Sequence, residues 1–205
     1  MSDNEEESVL YDQKIKIMIL GETLVGKTAL LTRYTKNIFG GAYLTTVGID
    51  FQYKFLNIND KRIKVEIWDT AGQERFRNIA KNYFQSSDGF LLVYDISNRE
   101  SFDKLNFWNE QISANAPENT KIIIVGNKSD LEQERQVKKE EGENFANNNK
   151  VRFYETSAKD NINVITVFEL LANIIINDDK RVINNKRSSQ VLRKKKTKKQ
   201  KNNCC

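Results

Sequence analysis

The chain has 205 residues, 30% of them charged, a formal net charge of +5 at pH 7 and no histidine. The missing histidine excludes His-based triads, His metal ligands and a His general base, and no apolar run approaches the roughly 18 residues that span a bilayer. Eleven of the 33 basic residues fall in 180–205 with no acidic one, leaving 22 against all 28 acidic residues, a net of −6 for 1–179, so the body is not a general nucleic-acid binder.

The length fits one domain with appendages and a sizeable core. Residues 1–13 read as an acidic leader without the apolar stretch of a secretory signal. KIKIMIL (14–20) is a short apolar, β-branched run, as a largely buried strand would be. GETLVGKT (21–28) then fits G-x-x-x-x-G-K-[ST], and ALLTRY carries helical apolar spacing into a helix ending near Lys36 and Asn37. Residues 38–49, with Gly40 and Gly41, suit a loop that orders on demand.

FQYKFLNI (51–58), a turn at Asn59 and Asp60, and KRIKVEIWD (61–69) predict a hairpin, with Ile63, Val65 and Ile67 on one face. GFLLVYDI (89–96) is a buried strand. Ser97 to Glu100 reads as a capping box opening a helix with a buried stripe of Phe102, Leu105, Trp108 and Ile112. KIIIVGN (121–127) and VRFYET (151–156) are strands flanking a helix over Val137–Asn147. Val164, Val167, Phe168, Leu171 and Ile175 mark a final amphipathic helix. Strands alternating with helices predict an α/β fold with a mostly parallel sheet covered on both faces, and ligands at the carboxyl ends of its strands.

The motifs fall at those ends. Gly21 and Gly26 permit a loop whose backbone N–H groups turn inward on phosphate oxygens, helped by the helix N-terminus and the Lys27 ammonium. Thr28 offers a hydroxyl to Mg²⁺, and Asp69, ending a strand, offers a carboxylate through water. Gly72 would let its N–H approach a γ-phosphate, and Gln73 would orient the attacking water. Thr46 is a candidate second hydroxyl ligand for Mg²⁺, available when its loop closes. In Asn127-Lys128-Ser129-Asp130, the Asp130 carboxylate can accept the ring and exocyclic N–H pair of guanine, which adenine lacks, and an unpaired buried group penalises the wrong base. Thr156, Ser157, Ala158 and Lys159 can supply a backbone N–H to guanine O6 and a lysine stem over the ring.

Together GETLVGKT, Thr46, WDTAGQE (68–74), NKSD (127–130) and ETSAK (155–159) resemble the five guanine-nucleotide motifs of Ras-like small GTPases, over nearly all of 14–176. VGIDF (47–51), KVEIWDTAGQE (64–74), ERFRNI (74–79) and LLVYDIS (91–97) are similar to segments that mark the Rab branch. The resemblance implies the three-layer small-GTPase fold with a six-stranded sheet over 14–181. It implies a GTP/GDP switch with Mg²⁺ that hydrolyses GTP slowly unaided and recruits effectors to membranes in vesicle traffic. It extends nucleotide contacts to Thr23, Leu24, Val25, Ala29 and Phe39, whose ring would stack on guanine, and makes Phe51, Trp68 and Tyr83 an effector-reporting aromatic triad. Partners implied are an exchange factor, an activating protein, a GDP-dissociation inhibitor, a prenylation escort and membrane effectors.

Three departures stand out, among them Gly40-Gly41, which would make the first switch loop unusually mobile. Leu24 fills a position where the family carries a small residue, which bears on exchange and turnover. NYFQSSDG (82–89) replaces a double-tyrosine segment. NINV (161–164) leans toward the secretory Rabs. Residues 182–205 lack apolar periodicity and are expected to be disordered. Cys204 and Cys205 look like a double-prenylation site, since stable anchoring takes two lipid chains and the basic run adds attraction to an anionic leaflet. That places the protein on the cytoplasmic face of endomembranes or the plasma membrane. Rival readings are a hydrolytically silent, nucleotide-locked interaction protein and a nuclear carrier using the tail as an address.

Overall fold

The computed structural model describes residues 10–40, 49–70 and 83–178. In chain order the elements are β1 (Gln13–Leu20), α1 (Lys27–Lys36), β2 (Ile49–Ile58), β3 (Lys61–Thr70), β4 (Gly89–Asp95), α2 (Arg99–Asp103), α3 (Leu105–Asn115), β5 (Lys121–Asn127), α4 (Lys139–Asn148), β6 (Arg152–Thr156) and α5 (164–178). The strands form one six-stranded sheet in the order β2-β3-β1-β4-β5-β6. Only the β2–β3 pairing among them is antiparallel.

That hairpin turns where the sequence predicts. Asn59 and Asp60 have φ of 55° and 60°, the left-handed pair whose twist suits a two-residue connection. Strand β1 divides its side chains between two cores. Ile15, Ile17 and Ile19 face α1 and α5, where Tyr34 stacks on Phe168 with centroids 4.3 Å apart. Met18 and Leu20 face the other side with Phe90, Leu92, Tyr94, Leu105, Trp108 and Ile112. Each such burial is worth roughly 1.5–3 kcal/mol. Strand β4 is buried along its whole length, as its unbroken apolar run requires.

Three predicted details are corrected. The cap at 97–100 is not built on Ser97: the Asn98 side chain accepts from the Ser101 N–H at 3.1 Å, while Ser97 Oγ donates to Asp95 at 2.7 Å. The stripe that follows is shared by two helices broken at Lys104, so Phe102 lies half-buried on α2, edge-on to Tyr94. The helix predicted from Val137 starts at Lys139; Val137 is buried in the connection before it.

Parallel register brings the carboxyl ends of the strands to one edge. Ile19 pairs with Asp69, Asp95 with Asn127, and Asn127 with Thr156. The loops that leave this edge carry the motifs.

Candidate functional site

The loop between β1 and α1 is fixed by what its glycines lack. A Cβ on Gly21 would lie 2.1 Å from the Val93 carbonyl oxygen, and one on Gly26, at φ +93°, would lie 2.4 Å from Asn127 Nδ2. Gly26 is the residue before α1 and supplies no side-chain cap to the helix N-terminus. N–H groups at such an end present partial positive charge to an anion. Lys27 is only 6% exposed and donates to the carbonyls of Gly21 (2.9 Å) and Glu22 (2.7 Å). Burial pushes its ammonium down to about 8 against the opposing pull of the Asp69 and Glu22 carboxylates. A buried cation of this kind would be stabilised by a phosphate oxygen.

Behind Lys27, Thr28 Oγ1 donates to Asp69 Oδ2, and Asp69 is 1% exposed at the end of β3. A hydroxyl and a carboxylate meeting beside a phosphate loop are hard oxygen donors, which is the set Mg²⁺ takes alongside water and phosphate. The residues fit that ion. Thr28 could bind it directly and Asp69 through water, neutralising phosphate charge.

The third wall comes from β5 and β6. Asn127, 1% exposed, donates to the Val25 carbonyl at 2.8 Å and accepts from Thr156 Oγ1 at 3.0 Å, tying the phosphate loop to both strands. Lys128 adopts φ +65° and its ammonium sits 2.7 Å from Asp95, which runs its stem across the loop. Asp130 Oδ1 accepts from Ser157 Oγ at 2.6 Å, and the Lys159 ammonium stands 4.0 Å from its other oxygen. Ala158 is buried, and its carbonyl accepts from Arg33 Nε at 2.8 Å. The Arg33 guanidinium also reaches the Lys159 carbonyl (3.1 Å) and lies 5.9 Å from the half-exposed Phe39 ring. Phe39 and the Ser157–Lys159 turn are thus linked through one α1 side chain.

Sequence reasoning did not find Arg33 or Asp95, and it placed Thr156 in its motif without the bond to Asn127. Each acts by a contact with a residue far away in the chain, and only the carboxylate ending β4 offered any signal. Of the remaining loop residues, Val25 packs its side chain into the core and Ala29 packs against it. Thr23 is half-buried in the turn of the loop. Leu24 is 62% exposed at φ +66°, a left-handed conformation unusual for a bulky side chain.

A separate aromatic cluster lies on β2 and β3. Phe51 stacks on Trp68 (5.3 Å), and Trp68 meets Tyr83 at 4.8 Å. The Lys16 ammonium lies 4.6 Å over Trp68 and 5.9 Å from Tyr83, anchored by a 3.0 Å bond to Ser86 Oγ. The three rings assemble as one surface. Thr46, Gly72, Gln73, Cys204 and Cys205 lie outside the described residues.

The model of the Ras family matches residues 16–177. The chain is 48% identical over 165 residues to human "Ras-related protein Rab-3A", covering 80% of this chain and 75% of that one. It is 47% identical to Bos taurus "Ras-related protein Rab-3C", with 80% and 73% covered. It is 48% identical to Rattus norvegicus "GTP-binding protein Rab-3D", with 80% and 75% covered.

Proposed function

The chain belongs to the Ras family and, within it, to the Rab proteins, and from that premise we propose how it works as a GTP/GDP switch in vesicle traffic. The observation that carries the proposal is the buried Lys27 ammonium, held by the Gly21 and Glu22 carbonyls at the mouth of a helix, beside the Thr28–Asp69 pair. In this reading the loop from Gly21 to Thr28 grips the phosphates by its backbone, with Thr23, Leu24, Val25 and Ala29 around them. Lys27 moves from the carbonyls to the β- and γ-phosphate oxygens. Asp130 reads guanine, Lys128 and Phe39 enclose the ring, and Ser157, Ala158 and Lys159 close over its carbonyl edge. Mg²⁺, where bound, offsets the phosphate charge.

Thr46 and Gly72 hold their loops while a γ-phosphate is present and release them when it is lost. Gln73 orients the water for in-line attack. No arginine of the described site points at the phosphate loop, so unaided turnover is slow, and an activating protein would contribute on the order of 10³–10⁵ in rate. Phe51, Trp68 and Tyr83 present the nucleotide state to effectors. An exchange factor reloads GTP, and a GDP-dissociation inhibitor and a prenylation escort handle the lipidated form. Cys204 and Cys205 carry the lipid, and the basic run beside them favours an anionic leaflet on the cytoplasmic face of an endomembrane or the plasma membrane.

Single-turnover hydrolysis of bound GTP tests the switch. The proposal expects slow cleavage that Gln73→Leu slows further. A chain that holds GTP without cleaving it would instead be the silent, nucleotide-locked form.

A further inference from the structure

The phosphate loop has a second anchor that its motif does not require. Trp108, 2% exposed on α3, donates from Nε1 to Glu22 Oε1 at 2.9 Å. Glu22 is the loop's second residue. Its backbone carbonyl accepts from Lys27 at 2.7 Å, and its carboxylate is one of two charges that favour the Lys27 cation. Gly21, immediately before it, rests against β4 with no room for a Cβ. The loop is therefore held at its base by β4 and, through one indole N–H, by a helix on the opposite side of the sheet from α1.

We propose that Trp108 is a positioning residue for nucleotide binding: by holding the Glu22 carboxylate against α3 it fixes the peptide that carries the Lys27-bound carbonyl and keeps the negative charge away from incoming phosphate. Two physical points favour this. A charged acceptor makes the bond stronger than a neutral one. The 2.9 Å bond also keeps the Glu22 carboxylate turned toward α3 rather than toward an incoming phosphate, which it would repel. The bond also makes α3 mechanically continuous with the loop, so a protein that shifts α3 would alter nucleotide residence. This rests on the nucleotide reading above.

The test measures release of fluorescently labelled GDP from the full chain in Mg²⁺, with Trp108→Phe, Glu22→Ala, Glu22→Gln and the Trp108→Phe/Glu22→Ala double variant. The expected result is that Trp108→Phe and Glu22→Ala each shorten residence about tenfold. The double variant should be no worse than either alone, and Glu22→Gln, which keeps an acceptor oxygen, should recover most of the loss. In a Trp68→Phe background, leaving Trp108 as the only tryptophan, Glu22→Ala should also shift the emission. Multiplying losses, unaltered release in Glu22→Ala, or a Gln variant as poor as Ala would each overturn the proposal. If Trp108→Phe does not fold, the two Glu22 variants and the emission decide it. A chain that takes up no guanine nucleotide overturns both readings; one that holds GDP without coupling overturns only this one.

Discussion

Asn127 donates its side-chain amide to the carbonyl of Val25 across 2.8 Å, so the end of β5 holds the phosphate loop in place. Its side-chain oxygen accepts from Thr156 Oγ1, and the residue is buried. Asn127→Ala would leave the Val25 carbonyl and the Thr156 hydroxyl without these partners, at about 1–3 kcal/mol each. GDP affinity should fall by about two orders of magnitude with a lower melting temperature, read by titration and thermal melting. An unchanged affinity would count against the strap.

Gly26 and Gly40 separate strain from collision. Both have left-handed φ, +93° and +102°, yet a Cβ at Gly26 meets Asn127 at 2.4 Å while one at Gly40 meets nothing within 4 Å among the described residues. Gly40→Ala should cost only the backbone term, about 1 kcal/mol. Gly26→Ala must also displace Asn127 and should abolish nucleotide binding. Equal effects of the two on GDP affinity would contradict the assignment.

Leu24 carries strain without burial to offset it. Its side chain is 62% exposed at φ +66°, so Leu24→Gly relieves about 1–2 kcal/mol and adds back a smaller unfolded-state entropy term. A net gain of up to about 1 kcal/mol corresponds to a melting rise of about 2–4 °C for a chain of this size. A melting temperature that falls would show that Leu24 makes a stabilising contact.

Removing Cys204 and Cys205 should move the protein from membranes to the soluble fraction while GDP binding persists. Fractionation of cells expressing each form measures this. A variant that stays on membranes would place the anchor elsewhere.

Where local chemistry decides, the fold was legible. Asn59-Asp60 made the hairpin turn, the run at 89–95 made a central strand, and Gly26-Lys27 marked the start of α1. Asn98 displaced Ser97 as cap because Ser97 found a closer partner in Asp95. Periodicity could not show the break at Lys104, since the buried stripe runs on across it. The site's supports were less visible than its motifs. Arg33, Thr156 and the Glu22–Trp108 bond join residues far apart in sequence, and no spacing rule encodes a contact made only when the elements pack together.

The most direct measurement strips the full chain of nucleotide and titrates it with GDP, GTP and ATP in Mg²⁺. The account predicts tight binding of both guanine nucleotides and rejection of ATP by about 10⁴-fold or more, the size expected when buried polar groups would lose their partners. Equal affinity for ATP, or uptake of no nucleotide at micromolar concentration, would contradict it.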